Sequence, residues 1–415
     1  MATRRTTWLA LTSGIALLAT AGCSSSFGGD GETEQKTGGK QELTVLIGTS
    51  GDAETAAVKA AATAYEAASG NTVDVQVAQD LNQQLGQAFA GNNPPDVFYV
   101  ETHQFANYAS GGSLYAYGDR ISDVEDFSAS LRQSFTYEDQ LVCVPKDTSS
   151  LGLIVNDELW AAAGLTEDDY PQNWEDLERV AGELTTGSVT GLVTSNEYQR
   201  LGAFMKQAGG WITDPAQGGM TADSPENLQA LTFVQDMLKD GTWKFHQDVD
   251  AGWAGEAFGK GDAAMTIEGS WLAGAMENDF PDIEYTVLPL PEGPAGAGTL
   301  AFTNCWGVAE KSAHRDAAVE LVEFLTQPEQ QIAMGDAFGA VPSRESAAAD
   351  YLDAHPGIDA WGATGDHVQG PVTVGGFDRV LSQFNTDLES LRTADPAKIL
   401  ADLQSYGEAA LGAGN

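Results

Sequence analysis

The chain has 415 residues, enough to bury a large core and too many for one small domain. Its 60 acidic side chains against 20 basic ones give a net charge of −40, a field that repels nucleic acid and anionic lipid and argues against both as partners. Acid spread this widely is usually a solvated face, so it does not by itself point to a cationic substrate.

At the N-terminus, Arg4 and Arg5 precede an uncharged run from Thr6 to Gly22, the pattern of an export signal over 1–22. Ala21, Gly22 and Cys23 resemble a bacterial lipobox, which implies lipidation of Cys23 and anchoring on the outer face of the cell membrane. The other reading is an ordinary cleaved signal with an incidental cysteine. Residues 24–41 are rich in Ser, Gly, Glu and Lys, so 23–41 reads as a lipidated Cys and a flexible tether. Beyond the leader no run of about 18 apolar residues recurs, so no spanning segment is expected there.

From Glu42 onward short strands and helices alternate. Leu43–Ile47 is strand-like, and Ala53–Ser69 has apolar spacing near 3.6 and stops at Gly70. Thr72–Val77 alternates as a strand, Leu81–Ala90 reads as a helix, and Asn92 to Pro95 breaks the chain before the strand Asp96–Val100. This βαβαβ order predicts a parallel sheet with crossover helices, and a crevice beyond the strands' carboxyl ends. Later, Phe258–Trp271 (FGKGDAAMTIEGSW) reads as a helix end, a turn, the short core strand Ala263–Ile267, and a Gly-Ser turn that presents a tryptophan.

That last segment resembles the KGxxAMxxxGxW stretch of the sugar-type extracellular solute-binding proteins of ABC importers, the maltose-binding class. Further stretches match in order: PPDVFYVE with FANYASGGSLYAY (94–117), LVCVPKDTSSLGLIVN (141–156), NWEDLERVAGEL (173–184), FTNCWGVAEKS (302–312), and the helix from Ala317 with GAVPS (339–343) beyond it. The resemblance implies an α/β, two-lobed periplasmic-binding-protein (Venus flytrap) fold. Each lobe is a sheet flanked by helices, and a multi-strand hinge joins them. Lobe one is expected at 42–147 plus 303–343, and lobe two at 148–302 plus 344–415.

Enzyme signatures are scarce. The five histidines, at 103, 246, 314, 355 and 367, lack HExxH or other ligand spacing, and there is no P-loop, GxGxxG after a strand, or GxSxG elbow. No catalytic residue, metal site or cofactor is therefore expected. Aromatics and short polar groups at loop positions suit a neutral, hydroxyl-rich ligand. By position in the resembling family, the binding residues expected are Ser50, Glu101, His103, Asp147, Ser149, Glu197 and Tyr198, with Trp211, Trp271 and Phe377 as aromatic walls.

The resemblance also implies that the segments holding Cys143 and Cys305 run side by side, which makes a disulfide between them the expectation; two independent buried thiols are the alternative. The function expected is a monomeric, non-enzymatic receptor that delivers a small carbohydrate to ABC permease subunits. A secreted lipoprotein glycoside hydrolase, or the same fold carrying a polyamine, phosphate ester or peptide, remains open.

Overall fold

The computed structural model of the protein describes residues 39–413 apart from 49–50, 216 and 363–366. The signal segment, Cys23, most of the tether and Ser50 lie outside the described residues.

The opening βαβαβ forms as its sequence dictates. Strand Glu42–Ile47 lies between Thr72–Val77 and Val97–Glu101 and is parallel to both. The connecting helix Asp52–Ser69 buries Val58, Ala61, Ala62 and Tyr65, and it ends where Gly70 turns left-handed at φ 79°. The second connecting helix, Leu81–Ala90, starts where the Asp80 side chain accepts the Gln83 N–H. A fourth strand, Asn304–Val308, returns from far along the chain and adds antiparallel to Val97–Glu101, pairing Asn304 with Glu101 and Cys305 with Val100.

A second sheet runs in the order Tyr285–Leu288, Gly152–Asn156, Ala263–Glu268, Thr190–Thr194, Trp243–Phe245. Its central strand, Ala263–Glu268, is buried at every position, which is why Ala263–Ile267 is apolar except at Thr266. Gly261, at φ 76°, makes the turn into it.

The cores are separate. One gathers residues from Leu43 to Val144 and from Cys305 to Ala340. The largest of the others gathers Leu151 to Leu300 and resumes at Val372. The chain passes between these cores through a third sheet of short strands, ordered Val341–Pro342, Asp147–Ser150, Thr299–Phe302, Val368–Gln369. The helix Glu345–Ala354 still packs on Pro328–Phe338, with the Tyr351 hydroxyl donating to Gly335 O and Ser346 bonded to Asp126. With Ile358 and Trp361, which join the cluster of Ile154 and Val193, the chain rejoins the layer of the second sheet, and the Trp361 indole N–H donates to Glu268 O. The chain thus leaves the layer of the helix Pro328–Phe338 for that of the second sheet between 354 and 358.

Candidate functional site

The strand ends of the first sheet and the crossing strands open onto a cavity of about 560 Å³. Its first wall carries carboxylates. Glu101 ends the strand Val97–Glu101; one of its oxygens accepts the Asn82 amide at 2.7 Å and lies 3.5 Å from His103 Nε2. Asp147 begins the crossing strand and pairs with Lys146. Lys146 is only 4% exposed, also bonds Glu54 Oε1 at 3.1 Å, and stands 4.7 Å from the centre of the Tyr99 ring. Burial alone would lower the ammonium's pKa, but Asp147 and Glu54 outweigh burial and hold it above the ordinary lysine value. The one lysine or arginine among the described lining residues is therefore already neutralised by two acids.

The facing walls carry aromatics. Trp211, Tyr198, Trp271 and Phe302 all line the cavity. Trp271 does not sit in a turn, as the sequence suggested; it opens the helix Trp271–Asp279. Its ring lies so close to Gly269 that a Cβ there would stand 2.3 Å from the indole. Glycine is required by this approach, which fixes the height of the ring above the strand end. The indole N–H donates to Glu268 Oε2 at 2.9 Å, and Phe302 meets the ring edge-on with centroids 5.0 Å apart. Ser149 Oγ accepts the Ser270 N–H at 2.9 Å, which ties the crossing strand to the loop that carries this tryptophan.

Seven of the expected residues thus line one cavity: Glu101, His103, Asp147, Ser149, Tyr198, Trp211 and Trp271. Glu197 does not. It precedes the helix Tyr198–Gln207 and makes no capping bond, while Gln199, two residues on, takes the lining position. Phe377 is a correction: it is 1% exposed and belongs to the core with Leu381, Phe384 and Leu388. Residues 377, 381, 384 and 388 are one helical stripe, and burying that stripe turns the ring inward. Glu54, Tyr99, Lys146, Phe302 and Asn304 also line the cavity and were not anticipated. The first of these meets Lys146 across 92 residues of chain, a contact that no local pattern encodes. Phe302 had a signal, since it ends a crossing strand two residues before Asn304.

Beneath the cavity the sulfurs of Cys143 and Cys305 are bonded, with Cα atoms 5.8 Å apart. The two segments lie alongside each other, with Trp306 N–H donating to Val144 O and Lys146 N–H donating to Asn304 O.

Residues 60–363 match the family of bacterial extracellular solute-binding proteins. The chain belongs to this family. The solute-binding protein is 25% identical over 294 residues to the diacetylchitobiose binding protein of Streptomyces coelicolor, a stretch that spans 66% of each chain, just under two thirds of that relative. Its fold is that of the two-lobed binding proteins. It superposes with TM-score 0.82 on an ABC substrate-binding protein of Listeria monocytogenes solved with cycloalternan, at 23% identity, covering 90% of this chain and all of that one. With TM-score 0.78 and 20% identity it also superposes on a Mycobacterium tuberculosis protein solved with glycerophosphocholine, covering 91% and 100%. No helix among the described residues is long and apolar enough to cross a membrane.

Proposed function

We propose that this solute-binding protein captures a neutral carbohydrate in the 560 Å³ cavity and presents it to the permease of an ABC importer. The observation that carries this reading is the pairing of walls. Trp271, Trp211 and Phe302 offer flat apolar faces for sugar C–H groups, while Glu101 and Asp147 offer acceptors for hydroxyl protons. A phosphate ester fits less well: the cavity's lysine is spent on Glu54 and Asp147, and added negative charge would meet three carboxylates. The names of the Streptomyces and Listeria relatives, both saccharide binders by description, favour the same ligand class.

The two cores act as lobes, and the three crossing passages act as the hinge. A sugar touching both walls gains its full contacts only when they close on it, so it shifts the open–closed equilibrium toward the form the permease reads. Turning that equilibrium from 1:99 to 99:1 takes about 5.5 kcal/mol of differential affinity. The protein works as a monomer and makes or breaks no bond in its cargo. Cys23 carries the lipid that holds it to the membrane.

The test is a thermal-shift screen of the soluble domain against neutral mono- and oligosaccharides, glycerophosphodiesters and polyamines, with the saccharides recovered afterwards for mass analysis. A saccharide should raise the melting temperature and return intact. Stabilisation by the phosphodiester alone, or cleaved saccharide, would overturn the reading.

A further inference from the structure

Behind Trp271 lies an ion pair with an unusual geometry. Arg200, in the helix Tyr198–Gln207, donates from Nη2 to Glu268 Oε2 at 2.6 Å; the two side chains are 10% and 0% exposed. A buried arginine and carboxylate gain most from two parallel hydrogen bonds. Here there is only one. Arg200 Nε and Glu268 Oε1 have no partner among the described residues, although both are buried. Glu268 Oε2 instead accepts twice, from Arg200 and from the Trp271 indole N–H. The guanidinium carbon meanwhile stands 5.2 Å from the centre of the Trp271 ring and 5.4 Å from that of Phe302.

Leaving a donor and an acceptor buried without partners is costly, whereas a guanidinium that faces a carboxylate squarely makes two parallel bonds. As it lies, the guanidinium instead keeps its place over the two rings. The geometry therefore favours the rings over the ion pair.

We infer that Arg200 is a positioning residue for ligand binding: held by Glu268, it fixes the indole of Trp271 and, through Phe302, the corner where two aromatic walls meet. The cation rests on the rings' electron-rich faces while the shared carboxylate oxygen sets the indole's rotation. A platform locked before the sugar arrives spares the ligand the ordering cost that a free indole would impose. This inference rests on Trp271 being a sugar platform, so the test has a readout that needs no sugar.

The Trp271 signal is defined as the near-ultraviolet circular dichroism lost on Trp271→Phe. In Arg200→Lys, which keeps a positive charge beside Glu268 but lacks the planar fork, that signal should be largely lost while the denaturation midpoint stays close to that of the unaltered protein. Affinity for the best neutral saccharide should fall roughly tenfold, and by much less when Trp271→Phe is already present. Should Arg200→Lys fold poorly, Arg200→Met with Glu268→Gln removes both buried charges while leaving an acceptor for the indole, and the same signal loss is expected. An unchanged Trp271 signal, or an affinity loss equal with and without Trp271→Phe, overturns the inference. If the unaltered protein binds no saccharide at all, the functional reading fails, and the signal alone still decides whether Arg200 positions the ring.

Discussion

Lys146 Nζ bonds Glu54 Oε1 at 3.1 Å across 92 residues of chain, joining the helix Asp52–Ser69 to the start of the first crossing strand. The contact neutralises the cavity's lysine and anchors the strand on which Asp147 and Ser149 ride.

Removing one partner of such a pair leaves an uncompensated buried charge. Lys146→Met should destabilise the fold by about 3–5 kcal/mol in urea denaturation. The lysine's folded pKa lies above its ordinary value, so its contribution is fully present below the ordinary lysine range and lost only as pH rises through the raised folded value. The gap between variant and unaltered protein should therefore stay level from about pH 7 to about pH 9. A variant of unchanged stability, or a gap that closes within that range, contradicts the assignment.

Phe377 supplies the contrast with the cavity aromatics. Phe377→Ala should cost about 3–5 kcal/mol of stability through the hole it leaves among Leu381, Phe384 and Leu388. Saccharide affinity of the folded protein should change little. Calorimetric titration at a temperature where the variant is folded checks this; a large affinity loss would return Phe377 to the binding wall.

Much of the fold was legible in the sequence because local signals agree with one another. Helix Asp52–Ser69 has its apolar stripe and its Gly70 stop within one segment, and the strand Thr72–Val77 that follows it alternates polar and apolar residues. Trp271 was legible as a cavity residue because Gly269 removes the side chain that would displace the ring. Gly375-Gly376-Phe377 looks the same at short range as Gly209-Gly210-Trp211, yet the first aromatic turns inward and the second lines the cavity. What separates them is the helix that follows, whose buried positions continue the Phe377 stripe. Contacts such as Glu54 to Lys146, and the shared oxygen of Glu268, depend on how distant segments pack, and no spacing in the chain records them.

The bond between Cys143 and Cys305 closes a separation of 162 residues beside the crossing strands. In the chain-entropy account a loop of that length adds at most about 5 kcal/mol. Mass analysis of the unreduced, exported protein should find no alkylatable thiol at either position, and Cys143→Ala with Cys305→Ala should lower the melting temperature while leaving saccharide binding in place. Two free thiols in normally exported protein would contradict the bridge.

For the anchor, Cys23→Ser should move the protein from the detergent-extracted membrane fraction into the soluble one. Retention of the variant on the membrane would contradict lipidation at that residue.

The central claim is that Trp271 is the floor on which a neutral saccharide lies. Calorimetric titration of the unaltered protein and of Trp271→Ala with the saccharide selected by the thermal screen tests it most directly. The account predicts saturable one-to-one binding that weakens by about 1.5–3 kcal/mol in the variant, with the fold retained. Equal affinity in the two proteins, or a variant that unfolds while its folded fraction binds the saccharide as before, would contradict it.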